Sequence, residues 1–316
     1  MSYVRWMGAA LALAERGVGR TAPNPPVGCV IVKDGVVLGR GWTRPGGRPH
    51  AEAEALAQAG DVARGATVYT TLEPCAHVSS RGPACSDSLI AAGASRVVAA
   101  LLDPDSRTAG QGMARLAEAG IATTCGVREA EAREVAGGFL TRLALGRPRI
   151  TLKLALSLDG RIALASGESK WITGAAARHH AHLLRARSDV IVVGRGTWET
   201  DAPSLDVRLP GLANRSPTVA VLSGAGGAEP FTGLNALLAM PVNDVLVEGG
   251  AGVATSLLAA DLIDRLLIYR APVLLGTGLG LGDIGLTVLV DAHGRWRATE
   301  NRQLGADRLE VYLRTR

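Results

Sequence analysis

Two stretches of the sequence carry its most specific pattern, HAEAEAL at residues 50–56 and TLEPCAHVSSRGPAC at residues 71–85. They contain the imidazole of His50 and the thiols of Cys75 and Cys85. A catalytic zinc site uses three protein ligands of these kinds and keeps a fourth position open for water. We therefore predict that His50, through either ring nitrogen, and both cysteines bind one Zn²⁺ ion.

A carboxylate lies close to the first of these ligands in sequence. Glu52 follows His50 by two residues, at the start of a helix predicted over 51–59. From there it can take a proton from a water on the metal and deliver it to a departing amine, without binding the metal itself. The order H-x-E, then P-C and a second Cys, is typical of zinc-dependent deaminases, although their usual spacing has two residues between the cysteines and this chain has nine. We predict Glu52 as the catalytic residue. In the alternative without function, His50 only stands at the start of a helix and the two cysteines are simply buried thiols.

The first half of the chain alternates between strand and helix patterns. Strands are predicted at 27–33, 36–42, 67–71, 96–102 and 121–125, and helices at 3–16, 51–59, 86–92, 113–119 and 129–145. Asp34-Gly35 indicates a two-residue hairpin turn. Gly146-Arg147-Pro148 then interrupts the helical pattern, so we place a domain boundary there. The predicted domains are 1–146 and 147–316, in keeping with roughly 100–200 residues per domain.

The second half shows the same alternation. Strands are predicted at 150–156, 189–193, 218–222, 244–247, 265–271 and 308–313, and helices at 175–187 and 253–260. Such alternation indicates sheets covered by helices, and the fold class is therefore α/β. His179, His180 and His182 lie on the first of these helices, where their Arg neighbours favour a solvated face over a metal site.

Composition excludes several classes of protein. Hydrophobic residues make up 47% of the 316 residues and charged residues 20%, which excludes disorder over most of the chain. We find no apolar run of about 18 residues, so no membrane partner is expected. The N-terminal MSYVRWMGAALALAERG is typical of an amphipathic helix and not of a signal peptide, so we expect the protein in the cytoplasm. Four cysteines are too few for a disulfide framework, and Cys29 and Cys125 are predicted as buried strand residues.

The charge pattern argues against nucleic acid as a partner. The formal net charge is +5, and of 34 basic residues only Lys33, Lys153 and Lys170 are lysines. The arginines are scattered and form no basic arm. Aromatic residues make up 3%, too few for a base-stacking surface. A deaminase acting on a flipped base in nucleic acid is therefore a weaker alternative, and salt-sensitive binding of RNA or DNA would distinguish it.

Longer segments resemble a known family. With APNPPVGCVIVKDG at residues 22–35 and LIAAGASRVV at 89–98, the two opening stretches resemble the deaminase half of the bifunctional riboflavin-biosynthesis deaminase/reductase family. The run ITLKLALSLDGRIALASGESKWITG at 150–174 resembles its reductase half. That family has a longer loop between its cysteines, and the match implies one inserted residue near Ser79–Ser80. The implied fold is an N-terminal cytidine-deaminase-like three-layer domain followed by a C-terminal dihydrofolate-reductase-like domain.

The resemblance also implies an activity. The first domain would deaminate 2,5-diamino-6-(5-phosphoribosylamino)pyrimidin-4-one with Zn²⁺, and the second would reduce the ribosyl side chain to ribityl with NADPH. The substrate would be a phosphorylated pyrimidine small molecule, and the chain would form a homo-oligomer through its second domain. The first alternative is a deaminase only, whose second domain serves for dimerisation or substrate channelling. Oxidation of NADPH by the deaminated intermediate would distinguish the two.

Site residues follow from the resemblance. In the first domain, Asn24 and His77 would contact the pyrimidine. The NADPH site would be lined by Ala155, Trp171, Thr197, Asp201, Ser223, Gly250, Ala251, Gly252, Val253, Ala254, Thr255 and Ser256. The reductase substrate would be held by Lys153, Ser169, Arg185, Leu205, Arg208 and Glu248. A glycine-rich turn before a helix suits a pyrophosphate, an indole suits a ring-stacking wall, and guanidinium forks suit phosphate oxygens.

Two features depart from the family pattern. Ala202 stands where the family often has a second Asp before Pro203. The segment between residues 215 and 244 is shorter than the family implies, so one βα unit is expected to be lost or compressed. Weaker hydride transfer or an altered cofactor preference would follow.

Overall fold

The computed structural model describes residues 3–77, 82–224 and 230–316. The chain divides into two compact units, Met1–Gly146 and Arg147–Arg316. The insertion expected near Ser79–Ser80 lies outside the described residues. Within the described ranges, every helix is too short or too polar to cross a membrane.

The first unit is built on a five-stranded mixed sheet. Its strands are β1 Gly28–Lys33, β2 Val36–Trp42, β3 Thr67–Thr70, β4 Arg96–Ala99 and β5 Ala122–Thr124. The order is β2-β1-β3-β4-β5, with β1 antiparallel to both its neighbours and β3, β4 and β5 parallel. Asp34 and Gly35 both have positive φ, at 52° and 78°, as the tight turn between β1 and β2 requires.

Helices cover both faces of this sheet. They are α1 Tyr3–Ala14, α2 Ala51–Ala59, α3 Cys85–Ala91, α4 Gln111–Glu118, α5 Glu129–Val135 and α6 Gly137–Leu145. A Cβ at Gly28 would collide with the backbone of α1, and one at Gly41 would collide with that of α2. Gly41 pairs with Cys29, the neighbour of Gly28, and neighbours in a strand point to opposite faces. Helices α1 and α2 therefore pack on opposite faces, which gives the predicted three layers.

The second unit contains an eight-stranded sheet. Its strands are β6 Arg149–Leu156, β7 Val190–Gly194, β8 Thr218–Leu222, β9 Phe231–Thr232, β10 Asp244–Val247, β11 Arg265–Arg270, β12 Trp296–Leu304 and β13 Asp307–Arg314. The order is β12-β13-β11-β6-β10-β7-β8-β9, parallel except for the pairs that involve β13. Its helices are α7 Ala175–Ala186, α8 Arg195–Asp201, α9 Leu234–Leu238 and α10 Ala251–Ala259. Buried residues such as Leu152, Val192 and Val247 form the core on one face.

Several expectations need correction. The helix predicted over 129–145 is two helices, because the backbone leaves the helical conformation at Ala136. Strand β5 ends before Cys125, which is exposed and not buried. Of the three clustered histidines only His179 is exposed; His180 bonds to the Tyr269 hydroxyl at 2.6 Å, and His182 to the Asp206 carbonyl at 3.1 Å. In the segment between 215 and 244, where one βα unit was expected to be lost or compressed, a short βα unit is present, with two residues in β9 and five in α9.

Candidate active sites

One histidine and two cysteines come together at the starts of two helices and the loop that follows β3. His50 is the residue before α2, Cys75 lies in the loop after β3, and Cys85 is the first residue of α3. His50 Nδ1 lies 3.3 Å from Cys85 Sγ and 3.6 Å from Cys75 Sγ. The three candidate ligand atoms all lie within 4.8 Å of one another. Nδ1 of His50 is thus the ring nitrogen that faces the two thiols and could bind a metal with them.

The donor set fits zinc. The pKa of Cys75 is lowered to about 4, mainly by its hydrogen bond with Cys85 and then by that with His50. The backbone N–H of Cys85 also donates to Cys75 Sγ at 3.3 Å. A thiolate at neutral pH beside an imidazole is the ligand chemistry that zinc prefers.

Glu52 lies beside this cluster on the first turn of α2. Its side chain is 3% exposed, and Thr70 Oγ1 donates to its Oε1 at 3.3 Å. Burial raises the pKa of Glu52 above its ordinary value, with a smaller contribution from Cys75 in the same direction. A carboxyl group that gains a proton readily, next to a metal site, is suited to carry protons.

The cluster opens into a cavity of about 470 Å³. Both predicted pyrimidine contacts, Asn24 and His77, line it together with His50 and Glu52. Asn24 Nδ2 donates to the Gly47 carbonyl at 3.0 Å and lies 3.5 Å from His50 Nε2, whereas His77 Nδ1 lies 3.4 Å from Thr108 Oγ1. The remaining wall includes arginines and carboxylates that the sequence did not single out, namely Arg48, Glu73, Asp103, Asp105, Arg107 and Arg142.

Glu73 is a functional candidate that sequence reasoning missed. Its buried carboxylate accepts three backbone N–H groups, those of Asp103 at 3.1 Å, Gly110 at 2.9 Å and Met113 at 3.0 Å. Burial raises the pKa of Asp103 to about 6. The signal that could have found Glu73 is an acid directly before Pro74-Cys75, in the loop that follows β3.

A second cavity of about 500 Å³ lies in the other unit, where β7, β8 and β10 end. Its lining contains six of the residues expected at the NADPH site, namely Thr197, Ser223, Gly250, Gly252, Val253 and Ser256. A Cβ at Gly249 would lie 2.9 Å from Val253 Cβ, and one at Gly250 would lie 3.3 Å from Thr197 Oγ1. Val253 and Thr197 both line the cavity, so side chains at these two positions would crowd its wall, and the glycines present fit a bound dinucleotide.

Three of the four charged residues predicted to hold the reductase substrate form one partly buried cluster. Arg185 on α7 binds Glu248 through two bonds, Nε to Oε1 at 2.7 Å and Nη2 to Oε2 at 3.0 Å. Lys153 Nζ lies 3.8 Å from Glu248 Oε2. Burial alone would raise the pKa of Glu248, but Lys153 and Arg185 outweigh it and lower that pKa. Glu248 is therefore ionised at neutral pH.

Comparison with known proteins decides the family. Residues 1–101 match the cytidine and deoxycytidylate deaminase zinc-binding region, and residues 148–307 match the RibD C-terminal domain. Riboflavin biosynthesis protein RibD of Escherichia coli is 39% identical over 96% of this chain and 96% of its own length. RibD of Aquifex aeolicus is 37% identical over 98% of each. The chain belongs to the RibD family.

Solved structures agree with this assignment. Acinetobacter baumannii RibD has a TM-score of 0.87 at 36% identity, over 99% of both chains. The Thermotoga maritima diaminohydroxyphosphoribosylaminopyrimidine deaminase/5-amino-6-(5-phosphoribosylamino)uracil reductase has a TM-score of 0.86 at 30% identity, again over 99% of both. The predicted fold class is confirmed: a cytidine-deaminase-like domain precedes a RibD reductase domain. Zinc and NADPH are the cofactors that these two domains imply.

Membership of the RibD family argues against the deaminase-only alternative. A RibD C-terminal domain over residues 148–307 disfavours the reading in which the second half is only a dimerisation module. The alignment to the Escherichia coli protein runs over 359 positions, more than the 316 residues of this chain, so that relative carries segments that this chain lacks.

The remaining residues that the resemblance implies at the NADPH or substrate site are not part of the lining of the second cavity. Trp171 is 68% exposed, with the Arg178 guanidinium 5.0 Å from its ring centre, and Asp201 pairs with Lys170 at 3.4 Å. Arg208 is exposed and bonds to Ser204 Oγ at 3.0 Å. Four more lie in strand β6 or helix α10 without lining that cavity, namely Ala155, Ala251, Ala254 and Thr255. Ser169 is exposed, and Leu205 is buried with a positive φ of 52°.

Proposed function

We propose that the chain catalyses two consecutive steps of riboflavin biosynthesis on a phosphorylated pyrimidine. The first is hydrolytic deamination of 2,5-diamino-6-(5-phosphoribosylamino)pyrimidin-4-one, and the second is NADPH-dependent reduction of its ribosyl side chain to ribityl. The observation that carries the proposal is the convergence of His50, Cys75 and Cys85 beside Glu52 at the wall of a cavity large enough for the pyrimidine.

The deaminase residues have separate tasks. His50, Cys75 and Cys85 would hold zinc, which when bound supplies Lewis-acid activation of water. Glu52 accepts the proton released as water adds to the ring carbon that bears the amino group, and then gives a proton to that amine. Ammonia leaves and a carbonyl takes its place. Asn24 and His77 hold the ring in position for this transfer.

The reductase residues divide in the same way. NADPH, when bound along the second cavity, supplies the hydride for the ribosyl C1 carbon. Arg185 is committed to Glu248 by two hydrogen bonds, so we infer that its task is to hold Glu248 in place. Arg208 is exposed and so is better suited to bind the substrate phosphate. Lys153, next to Glu248, orients the ribosyl chain.

Two further properties are proposed with the activity. The enzyme works in the cytoplasm, in keeping with its membership of the RibD family. Copies of the chain associate through the second unit, as the family resemblance implies.

The test is a pair of assays on the zinc-loaded chain. Ammonia release from the diaminopyrimidine phosphate reports the first step, and NADPH oxidation after supply of the deaminated product reports the second. Glu52→Gln should keep one zinc per chain, stop ammonia release and leave NADPH oxidation intact. Deamination without NADPH oxidation in the unaltered chain would support the deaminase-only alternative, and normal deamination by Glu52→Gln would exclude Glu52 as the proton carrier.

A further inference from the structure

Two adjacent parallel strands deliver a guanidinium and a hydroxyl to the same point of the second cavity. Gly194, the last residue of β7, pairs with Leu222, the last residue of β8. The next residues along the chain, Arg195 and Ser223, therefore leave the sheet side by side, and both line the cavity. Ligands in open parallel sheets bind in the crevice at these carboxyl ends of strands.

Hydrogen bonding orients this pair. Arg195 Nη2 donates to Ser223 Oγ at 2.7 Å, and the guanidinium carbon lies 4.6 Å from the centre of the Phe231 ring. The Ser223 N–H donates to the Thr232 carbonyl at 3.0 Å, which fixes the serine on the strand end. Since Ser223 Oγ accepts from arginine, its own hydrogen remains free to donate. Together the two side chains present several donors and no carboxylate.

The described lining of this cavity carries positive charge at one point. Among the described residues that line it, Arg195 is the one with a charged side chain, and the others are glycines, hydroxyl residues and apolar residues. Glu199, one turn further along α8, lies 3.9 Å from Arg195 Nη1 but is not part of the lining. An anionic group on a ligand in this cavity would thus meet one cation, next to a hydroxyl donor.

We propose that Arg195 and Ser223 form the subsite for the 2′-phosphate of the dinucleotide, and that they give the enzyme its preference for NADPH over NADH. This inference rests on the proposed reductase function and adds the residues that select the cofactor. NADH lacks only that phosphate, so a cation placed at this point discriminates between the two cofactors, whereas the backbone around Gly250 and Gly252 meets groups that both share. A guanidinium fork matches phosphate oxygens geometrically, which a lysine does not.

Direct binding tests the subsite without any turnover. Isothermal titration of the full zinc-loaded chain would compare adenosine 2′,5′-bisphosphate with 5′-AMP, which lacks the 2′-phosphate. We expect Arg195→Ala to weaken the bisphosphate about 10- to 100-fold, as loss of charged hydrogen bonds implies, and to leave 5′-AMP unchanged. Ser223→Ala should weaken it less, and Arg195→Lys should restore only part of the affinity.

Arg297→Ala is the matched control, because it removes the same charge from an exposed position on β12. Unchanged thermal unfolding of each variant would show that the second unit is folded. Equal binding of the bisphosphate by Arg195→Ala and the unaltered chain would overturn the subsite alone, and so would equal weakening of both ligands. Failure of the unaltered chain to bind NADPH or NADH would instead overturn the proposed reductase function together with it.

Discussion

Glu73 Oε2 accepts the backbone N–H of Asp103 at 3.1 Å, across 30 residues of chain. The same carboxylate accepts the N–H groups of Gly110 and Met113, so a single buried side chain holds the segment between β4 and α4. That segment contributes Asp103, Asp105 and Arg107 to the cavity wall beside the metal cluster. The loop that lines this cavity is therefore positioned by a residue only two places before the candidate metal ligand Cys75.

Removal of this carboxylate should loosen the pocket wall. Glu73→Ala leaves three buried N–H groups without acceptors, and we expect a loss of about 3 kcal/mol in the free energy of unfolding of the first unit. Glu73→Gln keeps one oxygen and should cost about 1 kcal/mol. Urea unfolding measures both, and the KM for the diaminopyrimidine phosphate should rise in the same order while zinc content stays constant. Equal stabilities for the two variants would contradict this role.

Loss of one thiolate should abolish metal binding. Cys75→Ser replaces a group whose pKa lies at about 4 by a hydroxyl that stays protonated, so we expect the zinc content, measured by elemental analysis, to fall close to zero. Cys125→Ser is the matched control, since Cys125 is exposed and far in sequence from the cluster. Retention of stoichiometric zinc by Cys75→Ser would exclude Cys75 as a ligand.

The Arg185–Glu248 pair should show strong energetic coupling. Glu248→Ala leaves the Arg185 guanidinium without its carboxylate, and Arg185→Ala removes two hydrogen bonds from Glu248, which keeps Lys153 at 3.8 Å. Each single variant should cost up to about 3–5 kcal/mol, whereas the double variant should lose much less than the sum of the two. The matched control is the exposed pair Arg133–Glu129 on α5, where N and O lie 2.7 Å apart and solvent limits the coupling to below about 1 kcal/mol. Double-mutant cycles from chemical unfolding measure both, and additive losses at Arg185 and Glu248 would contradict the coupling.

Much of the deaminase site was accessible from sequence because metal chemistry restricts residue type. His50, Cys75 and Cys85 are far apart along the chain, yet imidazole and thiolate are so specific as zinc ligands that their pattern alone suggested a common site. Glu73 was not accessible in this way. Its role is to accept hydrogen bonds from backbone N–H groups, which every residue except proline has. Such bonds depend on the tertiary structure and produce no pattern in the sequence.

The reductase half shows more clearly which features could not be predicted from the sequence. Strands β8 and β10 lie where the sequence predicted them, and all four residues of β10 are buried, as expected for a central parallel strand. Strand β12, with sequence WRATENRQL, was missed, since it is mostly exposed and is held by its pairing with β13. The resemblance supplied Ser223 but not Arg195, since one arginine among many has no distinguishing signal until its place on a strand end is known.

Asp189 should make the stability of the second unit depend on pH. Burial, followed by the charge of Asp244, raises the pKa of Asp189 to about 6. The folded state therefore holds a proton that the unfolded chain releases from about pH 4 upwards. Its stabilising contribution is complete below about pH 4 and is lost as the pH rises through about 6, at a cost of up to about 3 kcal/mol at neutral pH.

Asp189→Asn tests this dependence with little change in hydrogen bonding. Asp189 Oδ2 accepts the N–H groups of Asn243 at 3.0 Å and Asp244 at 2.9 Å, and the amide oxygen of asparagine can accept both. We expect the variant to be more stable than the unaltered chain at about pH 7.5, with the difference vanishing towards about pH 4. Urea unfolding across this pH range measures it, and Asp291→Asn at an exposed position serves as the control. A difference that stays constant with pH would show that Asp189 does not titrate in this range, and that its two backbone N–H donors stabilise the carboxylate against the effect of burial.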